Sequence, residues 1–301
     1  MAVLAYLGPE GTFTHQAALD VAAPGDELVP LHTAPEVVRA VEQGRAAAGV
    51  VAFENSLQGP VSENLDEILA GHRCLIAGER VLAVSFALLR VPNDDAPLTG
   101  VVSHPFALLQ CSGFIAARGL ETAESASTAA ACREVALDAR PGWAAIGPRQ
   151  AGEQAGLVVA EQEIEDADRP ETRFVVLRAT CPPPTGRDRS AFALLPRSDE
   201  PGSLVRLLQE FSVRGINLTA IKSRPTKVTL GEYVFFIECE GHIADALLRD
   251  AVLGLLRFPG EVRFLGSYGE DPTRPPRPAA AEPEARLEAY EGMRGRVEEP
   301  S

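Results

Sequence analysis

Glu171-Thr172-Arg173-Phe174-Val175-Val176-Leu177 opens with a charge, a hydroxyl, a guanidinium and a ring, then runs apolar. It follows a turn containing Pro170. A short apolar run bounded by a turn reads as a buried strand. At its start Thr172 can donate a hydrogen bond to a leaving oxygen. Arg173 can fork onto a carboxylate. A plain strand start with a surface arginine looks the same in isolation, so the surroundings must decide.

Upstream, strands and helices alternate. Val3-Leu4-Ala5-Tyr6-Leu7 reads as a buried strand, broken by Gly8-Pro9-Glu10-Gly11-Thr12 before a helix that starts near Phe13. A turn of this kind offers backbone N–H groups and a positive dipole end to an anion. Thr12 and Thr14 serve equally well as helix caps. After a strand near Leu28–Leu31, Thr33 and Glu36 form a capping box for a helix that runs to about Gln43. The run from Ala47 to Phe53 is another strand, and it stops at Glu54-Asn55-Ser56. Polar residues at such a tip lie where open α/β sheets bind ligands. They are also ordinary turn formers.

Gly59-Pro60 continues that loop, and a short helix covers Glu63 to Leu69. Cys74 to Leu89 holds two extended segments, one of which crosses to a second lobe. Val101-Val102-Ser103 is a strand that ends at His104-Pro105, with one helix expected from Phe106 to Arg118. His104 is a candidate acid, base or ligand contact, or a satisfied loop residue. Ser125, Ser127 and Thr128 precede a helix over Ala129–Leu137, where they can cap it or bind an oxyanion. Further strands are expected at Ala144–Gly147 and Leu157–Val159, with a helix over Pro148–Gln154 between them. This alternation over residues 1 to 178 predicts a parallel α/β architecture.

Downstream the grammar changes. Cys181-Pro182-Pro183-Pro184-Thr185-Gly186 is a stiff linker. Beyond it, strand, amphipathic helix, two strands, helix and strand follow in the order βαββαβ, a ferredoxin-like sandwich. In its third strand Tyr233, Phe235, Ile237 and Cys239 alternate with Val234, Phe236, Glu238 and Glu240. The expected domains are residues 1–179, a linker over 180–189, a sandwich over 190–269, and a mobile tail rich in Pro, Ala, Glu and Arg over 270–301. The linker and the change of pattern predict that the first domain is active when cut from the second.

The 301 residues, 46% of them hydrophobic, can build two or three cores. A formal net charge of −14 argues against nucleic acid and acidic membranes as partners. A small anionic ligand then needs a locally positive site. Five cysteines, scattered and without a C-x-x-C pair, argue against a disulfide framework or a zinc site. No apolar run is long enough to span a bilayer, and the N-terminus has no basic leader. The expectation is a cytoplasmic protein.

These signatures, taken in order, give the chain a resemblance to the prephenate dehydratase family over roughly residues 2 to 269. They are Gly8-Pro9-Glu10-Gly11-Thr12-Phe13, Glu54-Asn55-Ser56 with Gly59, His104-Pro105 with Ala107-Leu108 and Gln110-Cys111, Ser127-Thr128-Ala129, and Thr172-Arg173-Phe174. Further on come Pro201-Gly202-Ser203-Leu204, Arg214-Gly215-Ile216-Asn217-Leu218-Thr219, Ser223-Arg224-Pro225 and Glu240-Gly241-His242.

The resemblance implies a two-lobed catalytic domain like the type II periplasmic binding proteins, followed by an ACT domain that binds L-phenylalanine. It implies conversion of prephenate to phenylpyruvate, carbon dioxide and water, without a cofactor, in a homodimer or homotetramer. Thr172 and Arg173 are the expected catalytic residues. Thr172 would serve the leaving oxygen, and Arg173 would position a carboxylate or brace the site from behind. Thr12, Glu54, Asn55, Ser56, His104, Ser127, Thr128 and Phe174 are the expected substrate contacts.

Phenylalanine is expected near Gly202, Ser203, Leu204 and Val205 of one subunit and Asn217 and Leu218 of another, with Ser223, Arg224 and Pro225 close by. The chain departs from the family at Phe106, usually Gln, at Pro170, usually Asn, and at Asn64, usually Thr. It also has Lys222 where the family has Glu. A reversed charge there is expected to weaken phenylalanine binding.

Overall fold

The first apolar run forms β1 (Val3–Leu7) in a computed structural model that describes residues 1–70, 73–167, 170–197, 200–227 and 232–274. Thr12 caps α1 (Phe13–Val21), its hydroxyl accepting from the His15 N–H at 3.3 Å. After β2 (Glu27–Leu31), Thr33 caps α2 (Ala34–Glu42) in the same way, and Glu36 reaches back to the His32 N–H at 3.0 Å. Then follow β3 (Ala48–Asn55), the short β4 (Gly59–Pro60), α3 (Ser62–Leu69) and β5 (Leu75–Ala83).

The chain now crosses to a second lobe. That lobe contains β6 (Ala87–Arg90), β7 (Gly100–Ser103), α4 (Pro105–Gln110), α5 (Ser112–Arg118), β8 (Glu121–Glu124), α6 (Thr128–Asp138), β9 (Trp143–Gly147), α7 (Arg149–Gln154) and β10 (Val158–Glu161). It returns to the first lobe as β11 (Glu171–Arg178). The two crossings touch, since the Val84 N–H donates to the Pro170 carbonyl at 2.7 Å.

The C-terminal sandwich is β12 (Asp188–Pro196), α8 (Ser203–Ser212), β13 (Leu218–Pro225), β14 (Tyr233–Glu240), α9 (Ala246–Leu255) and β15 (Gly260–Gly269). This is the expected βαββαβ order. Its sheet runs β13-β14-β12-β15, antiparallel throughout.

The two lobes are mixed rather than parallel. The first sheet runs β2-β1-β3-β11-β5, with β4 paired to β3, and the second β10-β6-β9-β7-β8. β1 lies parallel to β2 and β3, and β7 to β8 and β9. β11 is antiparallel to both β3 and β5, and β6 to both β9 and β10. The reason lies in the connections. A parallel neighbour needs a crossover within one sheet. β6 and β11 arrive instead from the other lobe. One further expectation fails: the helix over Phe106–Arg118 is two helices, because Cys111 leaves helical geometry at φ −112°, ψ 21°.

Residues 1–271 pack as one unit, with no boundary at residue 179. Strand alternation explains it. Phe174 and Val176 of β11 pack with Tyr6 and Val50 under α1. Val175 and Leu177 face the other way, into a core that also holds Ala191, Ala193, Val234, Phe236, Leu265 and Tyr268 of the sandwich. The opposite face of β12 and β14, Phe192, Leu194, Ile237 and Cys239, packs instead under α8 and α9. The sandwich sheet is thus covered by its own helices on one face and by the first lobe on the other. Glu270 and Asp271 do not begin a tail. Glu270 pairs with Arg187 at 2.6 Å and Arg189 at 2.8 Å, and Asp271 accepts from the Val81 N–H at 2.7 Å. Residues 275–301 of the expected tail lie outside the described residues. Among the described residues no helix is long and apolar enough to cross a membrane.

Candidate active site

A cavity of about 600 Å³ opens between the lobes. That volume falls within the ~300–1,000 Å³ typical of small-molecule sites. Thr172 and Phe174 reach it from β11, and Ala52 and Asn55 from β3. Thr172 and Asn55 are opposite one another in the antiparallel ladder. The Asn55 side-chain amide donates to the Thr172 hydroxyl oxygen at 3.0 Å. The Asn55 carbonyl accepts from the N–H groups of Leu57 at 2.9 Å and Gln58 at 3.3 Å. Those two bonds fix which end of the amide faces Thr172. Thr172 therefore spends an acceptor site on Asn55 and keeps its own proton for the cavity. Donation into a hydroxyl also strengthens the bond that the hydroxyl can give.

Four helix N-termini converge on the same space. Thr12, Phe13 and Thr14 open α1, and Val61, Ser62 and Glu63 open α3. His104 and Phe106 open α4, and Ser127 and Thr128 open α6. Each terminus carries partial positive charge and unspent N–H groups. Ser127 caps α6 by accepting from the Ala130 N–H at 3.0 Å. The His104 Nδ1 accepts from the Phe106 N–H at 3.2 Å. The start of α3 has no side-chain cap bond. Among the described residues lining the cavity there is no lysine or arginine. Glu63 adds a carboxylate to the lining, so the groups that can meet an anion there are backbone N–H groups and hydroxyls.

Arg173 faces the other way. The residue is 6% exposed, and its guanidinium meets Glu79 at 2.6 Å, Glu238 at 2.5 Å and the Tyr268 hydroxyl at 2.8 Å. Tyr268 donates onward to Glu238 at 2.7 Å, and the Thr219 hydroxyl also donates to Glu238. Arg189 completes the group, 3.1 Å from Glu238. Burial works against the Glu238 carboxylate, but Arg173, Arg189 and Thr219 outweigh it and hold the group at about 2. Burial also works against the Arg173 charge, and the carboxylates of Glu238 and Glu79 more than restore it. The expectation that Arg173 grips a substrate carboxylate does not fit this direction. Bracing from behind does.

The remaining expected contacts divide in two. Thr12, Asn55, His104, Ser127, Thr128 and Phe174 line the cavity with Thr172. Glu54 and Ser56 do not. Ser56 accepts from the Glu171 N–H at 2.9 Å, tying the tip of β3 to the start of β11. Glu54 pairs with Lys222 of β13 at 2.9 Å. Gln58, Ser62, Glu63 and Phe106 also line the cavity and escaped the sequence reading as contacts. The signal for three of them was their place just after the polar tip at residues 54–56. Asn64, a departure from the family, is buried and donates to the Ala52 carbonyl at 2.7 Å.

The expected phenylalanine residues are not gathered in one chain. Gly202 caps α8 at φ 81°, with Ser203, Leu204 and Val205 in its first turn. Asn217 and Leu218 lie beyond the far end of that 10-residue helix. A helix of that length spans about 15 Å, so the two groups lie apart within one chain. Arg224 is turned toward the first lobe, where it pairs with Asp66 at 2.8 Å. Ser223 and Pro225 are exposed on β13.

The comparisons with known proteins bear on the family and the fold. The family model described as prephenate dehydratase matches residues 4–181, and that of the ACT domain residues 197–256. A prephenate dehydratase of Mycolicibacterium smegmatis is 39% identical over 310 residues, covering 97% of each chain. The solved structure of a prephenate dehydratase from Arthrobacter aurescens, in complex with L-Phe, superposes with a TM-score of 0.81 at 31% identity. That match covers 97% of this chain and 98% of the other. A solved protein described as GqqA, a novel type of quorum quenching acylases, superposes with a TM-score of 0.80 at 28% identity, covering 91% of this chain and 100% of the other. With one model over more than half its length and a relative this close over nearly all of it, the chain belongs to the prephenate dehydratase family.

Proposed function

We propose that the chain converts prephenate to phenylpyruvate, carbon dioxide and water, as a step of L-phenylalanine synthesis. The observation that carries the proposal is the Thr172 hydroxyl, set in the cavity with its oxygen bonded to Asn55 and its proton to spare. Prephenate is a dianion, and the helix N-termini offer its carboxylates N–H donors without a competing strong base. The carbon–carbon bond to the ring carboxylate breaks, and its electrons enter the ring. The carbon–oxygen bond on the far side of the ring breaks, and hydroxide leaves as water with a proton drawn from solvent. Aromatisation drives both losses. Thr172 donates to the leaving oxygen and stabilises charge that develops only in the transition state.

The reading extends to regulation. A C-terminal ACT domain and a structural relative solved with L-Phe support L-phenylalanine as effector. The separation of Gly202–Val205 from Asn217 supports a homo-oligomer. The expected place of work is the cytoplasm.

The likeness to an acylase raises amide hydrolysis as a second reading. A hydroxyl nucleophile needs an adjacent base. Thr172 receives a donor from Asn55 instead, and His104 Nδ1 is taken by a backbone N–H. The experiment incubates the pure protein with prephenate, and separately with an acylated amide, and identifies the products. Phenylpyruvate, and no released acyl group, is expected. A non-aromatic keto acid would instead indicate a decarboxylase, unchanged prephenate a binding protein, and a released acyl group the acylase.

A further inference from the structure

The residues next to Thr172 and Asn55 are held by the ACT sheet. In the ladder between β11 and β3, Thr172 faces Asn55 and the next pair is Arg173 with Glu54. Successive side chains of a strand point to opposite faces. The first pair faces the cavity and the second faces the ACT domain. There Glu54 meets the Lys222 ammonium at 2.9 Å, and Arg173 meets Glu238 at 2.5 Å.

The same place in the ladder is irregular. The register shifts between Arg173 and Phe174, leaving Phe53 as an extra residue of β3. A bulge interrupts the ladder bonds and bends its strand. The ring of Phe53 packs on Phe236 of β14 at 5.4 Å, and Lys222 Nζ sits 4.9 Å over it. The ladder is weakest beside the reacting pair, and there the ACT domain supplies the fixing contacts.

We propose that Lys222 and Glu238 are positioning residues for the reaction: from the ACT sheet they hold Glu54 and Arg173, and so set Asn55 against Thr172. Neither lines the cavity. The proposal rests on Thr172 as donor to the leaving oxygen. A ligand that shifts β13 or β14 then shifts the donor, with no contact of its own to the cavity.

The test uses the full chain. Although Glu is the family's usual residue at this position, in this chain Lys222→Glu removes the ion pair that Glu54 makes and faces it with a like charge, and the pair Glu54→Lys with Lys222→Glu restores attraction with the signs exchanged. Lys222→Glu is expected to lower kcat about 10-fold with KM within about twofold, since a misplaced donor costs the transition state and not binding. The exchanged pair is expected to recover kcat to within about threefold of the parent, the mark of a direct coupling. Amide exchange of residues 53–56 and 171–174 is read on the same three proteins. It is expected to quicken in Lys222→Glu and to return in the exchanged pair. Unchanged kcat and exchange in Lys222→Glu would overturn the proposal. So would a lowered Tm with kcat intact, or an exchanged pair that recovers nothing. If the parent forms no phenylpyruvate, the functional reading fails, while the exchange data still decide the grip.

Discussion

Asn55 is anchored before it meets Thr172. Two backbone N–H groups hold its carbonyl, so only its NH₂ end can face the hydroxyl. Asn55→Asp would keep both loop bonds and replace that donor with an acceptor. The Thr172 proton would then turn toward the new carboxylate and away from substrate. We expect a fall in kcat on the order of 100-fold, the cost of one transition-state donor, with little change in Tm. An unaltered kcat would remove Asn55 from the mechanism. Thr172→Val keeps the branched shape and loses the hydroxyl. A comparable fall, measured as phenylpyruvate released, is expected there, and near-normal turnover would remove Thr172 from its role. Thr172 was legible in the sequence because a hydroxyl stood at a strand start in a distinctive motif. The direction of Arg173 was left open between a grip on a carboxylate and a brace, although strand alternation bears on it. Neighbours on a strand cannot both face one cleft, so a cavity-facing Thr172 already turned Arg173 away. The bond to Asn55 was not legible, because it joins residues 117 apart in sequence.

At the scale of the element, β12, β14 and β15 are shaped by what they press against. Ala191 and Ala193 are the small residues of β12 that face the first lobe. β15 comes closer still. A Cβ added at Gly266 would lie 2.0 Å from the Ile76 carbonyl oxygen, at a φ of +140°. Gly266→Ala must push β15 away from β5 and strain its own backbone. We expect a loss of about 3 kcal/mol, read from the denaturant midpoint, and an unchanged midpoint would mean that the strands separate freely. β14 supplies Glu238, whose carboxyl falls from an ordinary 4.5 to about 2 because the two arginines and Thr219 overcome burial. A depressed carboxyl contributes stability that is full above its unfolded pKa and is lost as pH falls through the folded value. The window is therefore pH 4.5 down to about 2. Glu238→Gln should lower Tm near neutral pH, since it leaves buried Arg173 short of a partner at about 3–5 kcal/mol. It should also flatten the acid decline of Tm across that window. A parallel decline in both proteins would place the acid sensitivity elsewhere. The sequence showed the alternation of β14 clearly. It did not show that the Glu238 side was an interior face, since Val234, Phe236, Glu238 and Glu240 mix apolar and charged residues on one side.

At the scale of the molecule, the Pro-rich linker falls between the two family matches, at residues 181 and 197. It marks a change of pattern, but not a boundary in packing. Val175 and Leu177 share a core with Phe236, Leu265 and Tyr268, and Arg173 and Glu79 share charges with Glu238 and Arg189. A protein ending at Arg178 would bare that apolar face and leave buried charges unpaired, which is costly. We expect it to be recovered mainly as aggregate, with no cooperative unfolding transition. A soluble, active fragment would show that the shared core is dispensable. The helix starts and the βαββαβ order were readable, because each rests on local periodicity and capping, and the two-lobed plan came with the family resemblance. The fusion of the domains was not readable, because it depends on which face of each sheet meets the other.

The core that the first lobe shares with the ACT sheet also sets a timetable. A ribosome works from residue 1 onward, and β1 to β5 emerge early with nothing to close them. β11 must arrive to complete their sheet, and Tyr268 to complete their core. The second lobe is different, since its strands and helices all fall between Ala87 and Glu161. It can finish while the first lobe waits. At ~5–20 residues per second, the stretch from Ile76 to Tyr268 takes roughly 10–40 s to make. During that interval the open face of β3 and β5 is available to any holding chaperone. Birth order and folding order can therefore differ in this chain: the second lobe is free to close first, and the first lobe closes together with the ACT sheet.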